Sequence, residues 1–417
     1  MTRPAPHQCP LAPLAPLPRL SGSIPGVGGV IRHEIEDFEV EEVPAYLPCG
    51  QGEHLYLLIE KRDLAGEMLR RHVARTFGLR TGDVGMAGLK DRRAVTRQWL
   101  SVPLKAVDDP ARLNDSRCRV LDARPHTNKL KTGHLHGNRF QIRLRDCGRG
   151  ALALATAKVA LLEETGIANF YGSQRMGHGG STLAAGWALA TGLSGVVHVQ
   201  VPDETVHVID LRDRHLKRLA ASALQSEVFN RVLVRRIAAG DIATVLDGDV
   251  CQKTDTGGTF ASDDVERERR RLAAREVVVT GPMWGPRMVR PVGAAAALEQ
   301  EVLASMGLDE SYFIQLGALA AGTRRPLVLF CDDLAVESVS RESGAESGPG
   351  SAPDGAPDGG TEAAGENLIL RFSLPSGSFA TILLHEMMGP EATAANVNAT
   401  HGHSDERGPA APATAGA

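Results

Sequence analysis

Residues 87–99 read AGLKDRRAVTRQW, and the interpretation of the chain starts from this stretch. It contains four cationic side chains and one carboxyl group, Asp91, which lies between Lys90 on one side and Arg92 and Arg93 on the other. Because nearby positive charge favours the ionised form of a carboxyl group, we expect Asp91 to carry a negative charge at neutral pH. This pattern suits chemistry on a nucleic acid, with Asp91 as nucleophile or base. On these residues alone, an ordinary charged surface loop remains the alternative.

The charge around this stretch is strongly asymmetric, although the whole chain of 417 residues has a net charge of only -4. Residues 61–145 contain 20 Lys or Arg against 8 Asp or Glu, a balance of +12. Residues 332–366 contain 9 acidic residues and one arginine, a balance of -8. The basic segment is typical of a surface that binds phosphates through counterion release. A solvated face neutralised by the rest of the protein would show the same composition.

Composition indicates a soluble protein of one to three domains, because 42% of the residues are hydrophobic and 23% are charged. No run of eighteen apolar residues occurs, so we expect no membrane span. Six prolines within residues 4–18 interrupt any signal-peptide core, and we expect a cytoplasmic protein. The six cysteines are far apart and form no CxxC pair, which favours neither a zinc site nor a disulfide framework.

Strand patterns lie at both ends of the chain, and helical patterns lie between them. Alternation of apolar and polar residues predicts strands at 29–43, 54–61, 95–102 and 139–144. Asp63 and Gly78 are placed to begin and end a helix, and another helix is predicted at 152–164. Helical patterns follow at 215–238, 263–275 and 298–306, and residues 368–387 return to a strand pattern with a hairpin turn at 375–377. A β-rich domain interrupted by a helical insertion is therefore expected.

Several stretches together resemble one enzyme family. GLKDRRAVTRQW is similar to the GxKDxxAxTxQ signature of the TruD family of tRNA pseudouridine synthases. The resemblance extends, in family order, over roughly residues 24–390. The further matching stretches are EDFEVEE (36–42), HLHGNRFQIRLR (134–145), NFYGSQRMGHGG (169–180), SEVFNRVLVRRI (226–237), VLDGDV (245–250) and LPSGSFATILLHEM (374–387).

The resemblance implies an α+β fold in which a pseudouridine synthase catalytic domain, with a mixed and mainly antiparallel sheet, is interrupted by a mostly helical TRUD insertion domain. The catalytic domain would comprise 24–168 and 330–390, and the insertion domain 169–329. We expect three disordered segments: a Pro-rich arm at 1–23, an acidic insertion at 337–366 and a tail at 391–417.

The resemblance also implies the chemistry: isomerisation of uridine to pseudouridine in tRNA, at position 13, without metal or cofactor. Asp91 would be the catalytic carboxylate, acting as a nucleophile at C1′ or as a base at C2′. Implied substrate-binding residues are Phe38, Lys90, Asn138, Phe140 and Phe379. Without the resemblance, their patterns would make the phenylalanines core residues and Asn138 a turn residue. We expect no membrane association and no obligate protein partner.

Two alternatives belong to other functional classes. One is an RNA-binding protein that remodels tRNA without needing catalysis, for which Asp91 would be dispensable. The other is a carboxylate enzyme such as a glycoside hydrolase, which usually needs two carboxyl groups flanking one bond. The 87–99 stretch offers only one carboxyl group.

Overall fold

The computed structural model describes residues 6–339, 365–393 and 396, which fall into two compact units. The sheet unit comprises Ser23–Glu163, Cys331–Ala380 and the described residues from Leu384 onward. The insertion unit comprises Glu164–Phe330, Thr381–Leu383 and the described N-terminal residues up to Gly22. The units differ from the expected domains chiefly at the N-terminus, where the arm groups with the insertion unit.

Helices and strands alternate irregularly along the chain. Within the described residues the helices are α1 (Gly66–Thr76), α2 (Ala151–Thr165), α3 (Ser181–Ala190), α4 (Arg214–Ala239), α5 (Val265–Ala273), α6 (Gly293–Ser305), α7 (Glu310–Leu316) and α8 (Ala380–Met388). The strands of the same residues are β1 (His7–Gln8), β2 (Gly28–Val30), β3 (Phe38–Pro44), β4 (His54–Arg62), β5 (Gly85–Met86), β6 (Val95–Pro103), β7 (Cys118–His126), β8 (Leu135–Cys147), β9 (Ile167–Ala168), β10 (Val196–Gln200), β11 (Val206–Asp210), β12 (Val250–Lys253), β13 (Thr259–Ala261), β14 (Val277–Met283), β15 (Thr323–Pro326), β16 (Val328–Leu329), β17 (Ala335–Val339) and β18 (Glu366–Pro375).

The sheet unit is built on one large sheet with the strand order β17-β18-β8-β3-β6-β4-β7. Two short strands join it, β2 beside β8 and β5 beside β6. The β3–β6 pair is parallel, and the other pairs are antiparallel. The predicted α+β fold with a mixed, mainly antiparallel sheet is confirmed.

Helix α1 covers the β4–β6 part of one face of this sheet. Alternate residues of β4, including Leu57 and Ile59, share a buried apolar cluster with Leu69 and Val73 of α1. Burial of each such side chain stabilises the fold by roughly 1.5–3 kcal/mol, which fixes the helix on this face. Gly78 follows the helix with the expected left-handed φ of 64°.

The predicted N-terminus of α1 is wrong, because Asp63 is not its N-cap. Ala65 occupies that position and makes no side-chain capping bond. Asp63 itself has a left-handed φ of 42°, and its carboxylate lies 3.3 Å from Nε of Arg92. The residue therefore turns the chain out of β4 instead of capping the helix.

The predicted C-terminal hairpin is also wrong. Strand β18 ends at Pro375, and the apolar run that follows it forms helix α8. Ile382, Leu383 and Met387 are all buried. A short apolar run that is buried on several sides has no period of its own, so the sequence pattern could not separate a strand from a helix.

The N-terminal arm is ordered where the structure describes it, so the expected disorder is wrong for residues 6–22. His7 and Gln8 pair with β10, and the side chains of Cys9 and Leu11 are buried. Of the expected acidic insertion, 337–339 belong to β17 and Glu366 to β18, whereas 340–364 lie outside the described residues. Of the expected tail, 391–393 are helical; apart from residue 396, the rest lies outside the described residues.

The insertion unit combines helices with small sheets. Its long helix α4 packs against α3 in one apolar cluster, and its strands form sheets in the orders β1-β10-β11, β13-β12-β14-β15 and β16-β9. The predicted helices at 215–238, 263–275 and 298–306 correspond to α4, α5 and part of α6. Among the described residues, no helix has the length and apolar character needed to cross a membrane.

Candidate active site

Asp91 lies in the loop that joins β5 to β6, and its carboxylate is about half exposed. Its Oδ2 atom lies 3.2 Å from Nη2 of Arg32. Its main-chain oxygen accepts a hydrogen bond of 2.7 Å from Nζ of Lys61, at the end of β4. One cation therefore holds the carboxylate, and another holds the backbone of the same residue.

Arg32 reaches Asp91 from a left-handed backbone conformation, with a φ of 58°. Its guanidinium carbon lies 4.1 Å from the centre of the Phe38 ring, and its side chain is only 16% exposed. Burial lowers the pKa of the Arg32 guanidinium, whereas the charge of Asp91 raises it. An arginine nevertheless keeps its positive charge at any physiological pH. The guanidinium therefore presents a fixed positive charge to the Asp91 carboxylate.

Phe38, Asn138 and Phe140 lie on the same face of the sheet. In the β3–β8 register Phe38 is opposite Ile142, Val40 is opposite Phe140, and Glu42 is opposite Asn138. Since side chains alternate along a strand, all of these residues point to one side. The Phe38 and Phe140 rings meet edge to face at 6.3 Å, and Phe140 stacks on Phe372 at 5.0 Å. The result is a buried aromatic floor, formed by Phe38, Phe140 and Phe372.

Lys90 belongs to the Asp91 loop, but its ammonium group is turned into the protein. Its Nζ lies 2.7 Å from Oε2 of Glu42, and the two side chains are 4% and 0% exposed. Burial raises the pKa of Glu42, and the charge of Lys90 lowers it. In this structure the ammonium group of Lys90, a residue that the resemblance implies to be substrate-binding, contacts Glu42. Its ammonium group ties the loop to the sheet.

Several buried polar atoms near this floor have no hydrogen-bond partner among the described residues. They are Oδ1 of Asn138, Oγ1 of Thr96 and both amide atoms of Gln98. Thr96 is opposite Val40 in the parallel β3–β6 register, so Thr96 and Gln98 share the face of Phe38 and Glu42. Because buried polar groups normally have partners, these atoms point to a polar ligand or ordered water.

Phe379 lies beyond the end of β18, at the residue that precedes α8, and is 42% exposed. Strand β18 brings this turn to the Asn138 end of β8, since Leu374 is opposite Asn138 and the Ser376 amide donates to the His136 carbonyl at 2.9 Å. The sequence-predicted residues therefore belong to one unit, but Phe379 stands apart from the buried floor by its exposure.

The basic segment does not form a single free cationic face. Arg145 makes a bidentate pair with Asp37 at 2.7–3.0 Å, and Arg97 pairs with Glu39 and Glu60 at 3.3 and 2.9 Å. Arg92 and Arg93, beside Asp91, are exposed. Part of the +12 balance is thus neutralised within the unit, and the exposed charge includes the two arginines that follow Asp91.

Sequence reasoning missed several residues of the site, among them the charged residues Arg32, Glu42 and Lys61. Strand alternation carried a signal for Glu42 and Lys61. Glu42 follows Phe38 and Val40 on the inner face of β3. Lys61 follows Leu57 and Ile59 on the inner face of β4. Charged residues at positions that alternation assigns to the interior are candidates for function. No comparable signal marked Arg32.

Comparison with known proteins shows which family the chain belongs to. The family model described as tRNA pseudouridine synthase D (TruD) matches residues 20–194 and 196–387. A tRNA pseudouridine synthase D of Anaeromyxobacter dehalogenans strain 2CP-C is 39% identical over 376 residues, which cover 90% of this chain and 97% of the relative. The corresponding protein of a Thermus thermophilus strain is also 39% identical, with coverages of 90% and 93%.

A solved structure has the same fold. It is the crystal structure of the putative tRNA pseudouridine synthase D from Methanosarcina mazei, with a TM-score of 0.67, 23% sequence identity, and coverage of 89% of this chain and 96% of that one. The family model and the relatives cover nearly the whole described chain. The chain belongs to the tRNA pseudouridine synthase D family.

Proposed function

We propose that this protein isomerises uridine to pseudouridine in tRNA, at position 13, with Asp91 as the catalytic carboxylate. One observation carries the assignment to Asp91: its half-exposed carboxylate is held by Arg32, whose guanidinium lies on an aromatic ring of the sheet face. The relatives are named as tRNA pseudouridine synthases, which supports the substrate class.

The reaction breaks the C1′–N1 glycosidic bond and forms a C1′–C5 bond after the base has rotated. The proton on C5 is lost and N1 gains one, so the product has the mass of the substrate and no redox step is required. Asp91 either attacks C1′ as a nucleophile or removes a proton from C2′ to give a glycal. In both routes the ion pair with Arg32 orients the carboxylate.

Binding the base requires its removal from the RNA stack, which costs a few kcal/mol. Phe38, Phe140 and Phe379 offer apolar surface for the flipped uracil, and Asn138 offers an amide for its polar edge. The unpartnered amide of Gln98 is a further candidate for that edge. Lys90 contributes by holding the loop to Glu42.

The test is conversion of an unmodified tRNA transcript, mapped by primer extension after carbodiimide treatment. The proposal predicts one new stop, one nucleotide 3′ of position 13, and no such stop in a transcript with cytidine at position 13. A stop at another position would overturn the positional assignment. Release of free uracil would support a glycoside hydrolase, and tRNA binding without conversion would support the RNA-binding alternative.

A further inference from the structure

Lys61 is one of the largest fully buried side chains of the protein, with 0% of its surface exposed. It occupies the penultimate position of β4, opposite Thr96 of β6 and Cys118 of β7. A lysine is almost never fully buried without a strong interaction, because removal of its charge from water is costly. Its position therefore needs an explanation that the isomerisation chemistry does not supply.

The contact that Lys61 makes is to the backbone of Asp91. Its Nζ donates a hydrogen bond of 2.7 Å to the main-chain oxygen of Asp91. Hydrogen bonds from a charged donor are roughly twice as strong as neutral ones. The remainder of the loop on either side is partly exposed, so this bond is an anchor from the sheet core to the residue that carries the carboxylate.

We propose that Lys61 is a positioning residue, whose charged ammonium group holds the Asp91 backbone so that the carboxylate faces Arg32 and the substrate. This inference rests on the proposed function. The inference adds that catalysis by Asp91 requires a positive charge on Lys61, a residue that does not contact the substrate. When Lys61 loses its proton, the hydrogen bond loses its charge assistance and its hold on the Asp91 backbone weakens.

The groups around Lys61 set the pH at which this anchor weakens. Burial lowers the pKa of Lys61 to about 8; Asp91 and Asp63 raise it, and Lys90 lowers it. On the β7 side, burial raises the pKa of the Cys118 thiol to about 12, so that group stays neutral here. On the β6 side, Thr96 does not titrate. Activity should therefore fall as the pH rises through about 8.

The experiment compares Lys61→Met and Lys61→Arg with the exposed-lysine control Lys253→Met, using steady-state conversion of the tRNA transcript from pH 6.5 to 9. For Lys61→Met we expect kcat to fall by roughly 100-fold with KM nearly unchanged, as for a small misplacement of a catalytic group. Lys61→Arg, which keeps its charge, should retain activity and lose the decline above pH 8. Titration of uridine itself affects every variant equally.

Hydrogen–deuterium exchange of the 87–94 segment gives a second readout that needs no activity. Lys61→Met should exchange faster than Lys253→Met in this segment and equally elsewhere. If wild type forms no pseudouridine, the proposed function fails, but the exchange result still tests Lys61. Equal exchange, or a kcat for Lys61→Met within about 3-fold of the control, would overturn the inference.

Discussion

Replacement of Glu42 by glutamine should destabilise the sheet unit, because it leaves the Lys90 ammonium group buried without its counter-charge. The two side chains are 0% and 4% exposed, and their charged atoms are 2.7 Å apart. Removal of one partner of such a buried pair costs about 3–5 kcal/mol. Glutamine keeps the size of the side chain and an oxygen for the Trp99 amide, which donates to Glu42 at 3.3 Å. The loss of stability should therefore come from removal of the negative charge at residue 42.

The reverse replacement, Lys90→Met, should cost less stability at acidic pH than at alkaline pH. Burial raises the pKa of Glu42, so the folded protein binds a proton there more readily than the unfolded chain does. Below that raised pKa, an unpaired Glu42 takes up a proton and becomes neutral. The cost of the unpaired Glu42 carboxylate to stability therefore grows as the pH rises through its raised pKa. The double variant, without either charge, should recover most of the loss.

The assay is urea unfolding followed by Trp99 fluorescence, in a background where Trp187 and Trp284 are phenylalanine, because those two residues belong to the insertion unit. The four proteins of the double-mutant cycle give the coupling energy directly. For Glu42→Gln we expect a loss near the lower end of the range, about 3 kcal/mol, since the loop gives Lys90 some freedom to relax. A loss under about 1 kcal/mol, with no coupling, would show that Lys90 does not depend on the charge of Glu42.

Three other replacements have clear expectations. Arg32→Gly should reduce turnover strongly, yet urea unfolding should show a change of no more than about 1 kcal/mol in the free energy of unfolding. Glycine removes the strain of the left-handed backbone conformation, and this offsets the loss of the ion pair. Gln98→Leu should raise stability by about 1–3 kcal/mol, because it removes an unpartnered buried amide, and should raise KM for the transcript; unchanged stability would contradict the burial argument. Lys61→Met should alter the pH dependence of unfolding, because the pKa of Lys61 is about 8 in the folded protein and 10.5 ordinarily. Between these two values the unfolded chain binds more protons than the folded protein does, so the stability of wild type rises with pH. The variant should lack this rise when urea unfolding is measured at pH 7.5, 9 and 10.

The sheet face of the site could be predicted from sequence because strand alternation is a local property. Phe38, Val40 and Glu42 alternate along β3, as do Asn138, Phe140 and Ile142 along β8. Local patterning thus placed the aromatic residues on one face. The family resemblance, and not the patterning, brought the two strands together with Asp91.

What the sequence did not predict depends on tertiary context. Arg32 points at Asp91 only because it adopts a left-handed conformation that nothing in its neighbours requires. The resemblance implies that Lys90 binds substrate, and its burial follows from a carboxylate that is 48 residues distant in sequence. The helix α8 and the pairing of β1 with β10 likewise depend on what those segments pack against. Long-range partners of this kind have no local signature.

The catalytic role of Asp91 is tested most directly by conversion of an unmodified tRNA transcript by Asp91→Asn, beside wild type and Asp108→Asn. Asp108 is an exposed aspartate of the same unit and also pairs with an arginine, so its replacement controls for loss of an ion pair. We predict conversion by wild type and Asp108→Asn, and none by Asp91→Asn, which should still bind the transcript. Equal conversion by Asp91→Asn would show that another group does the chemistry.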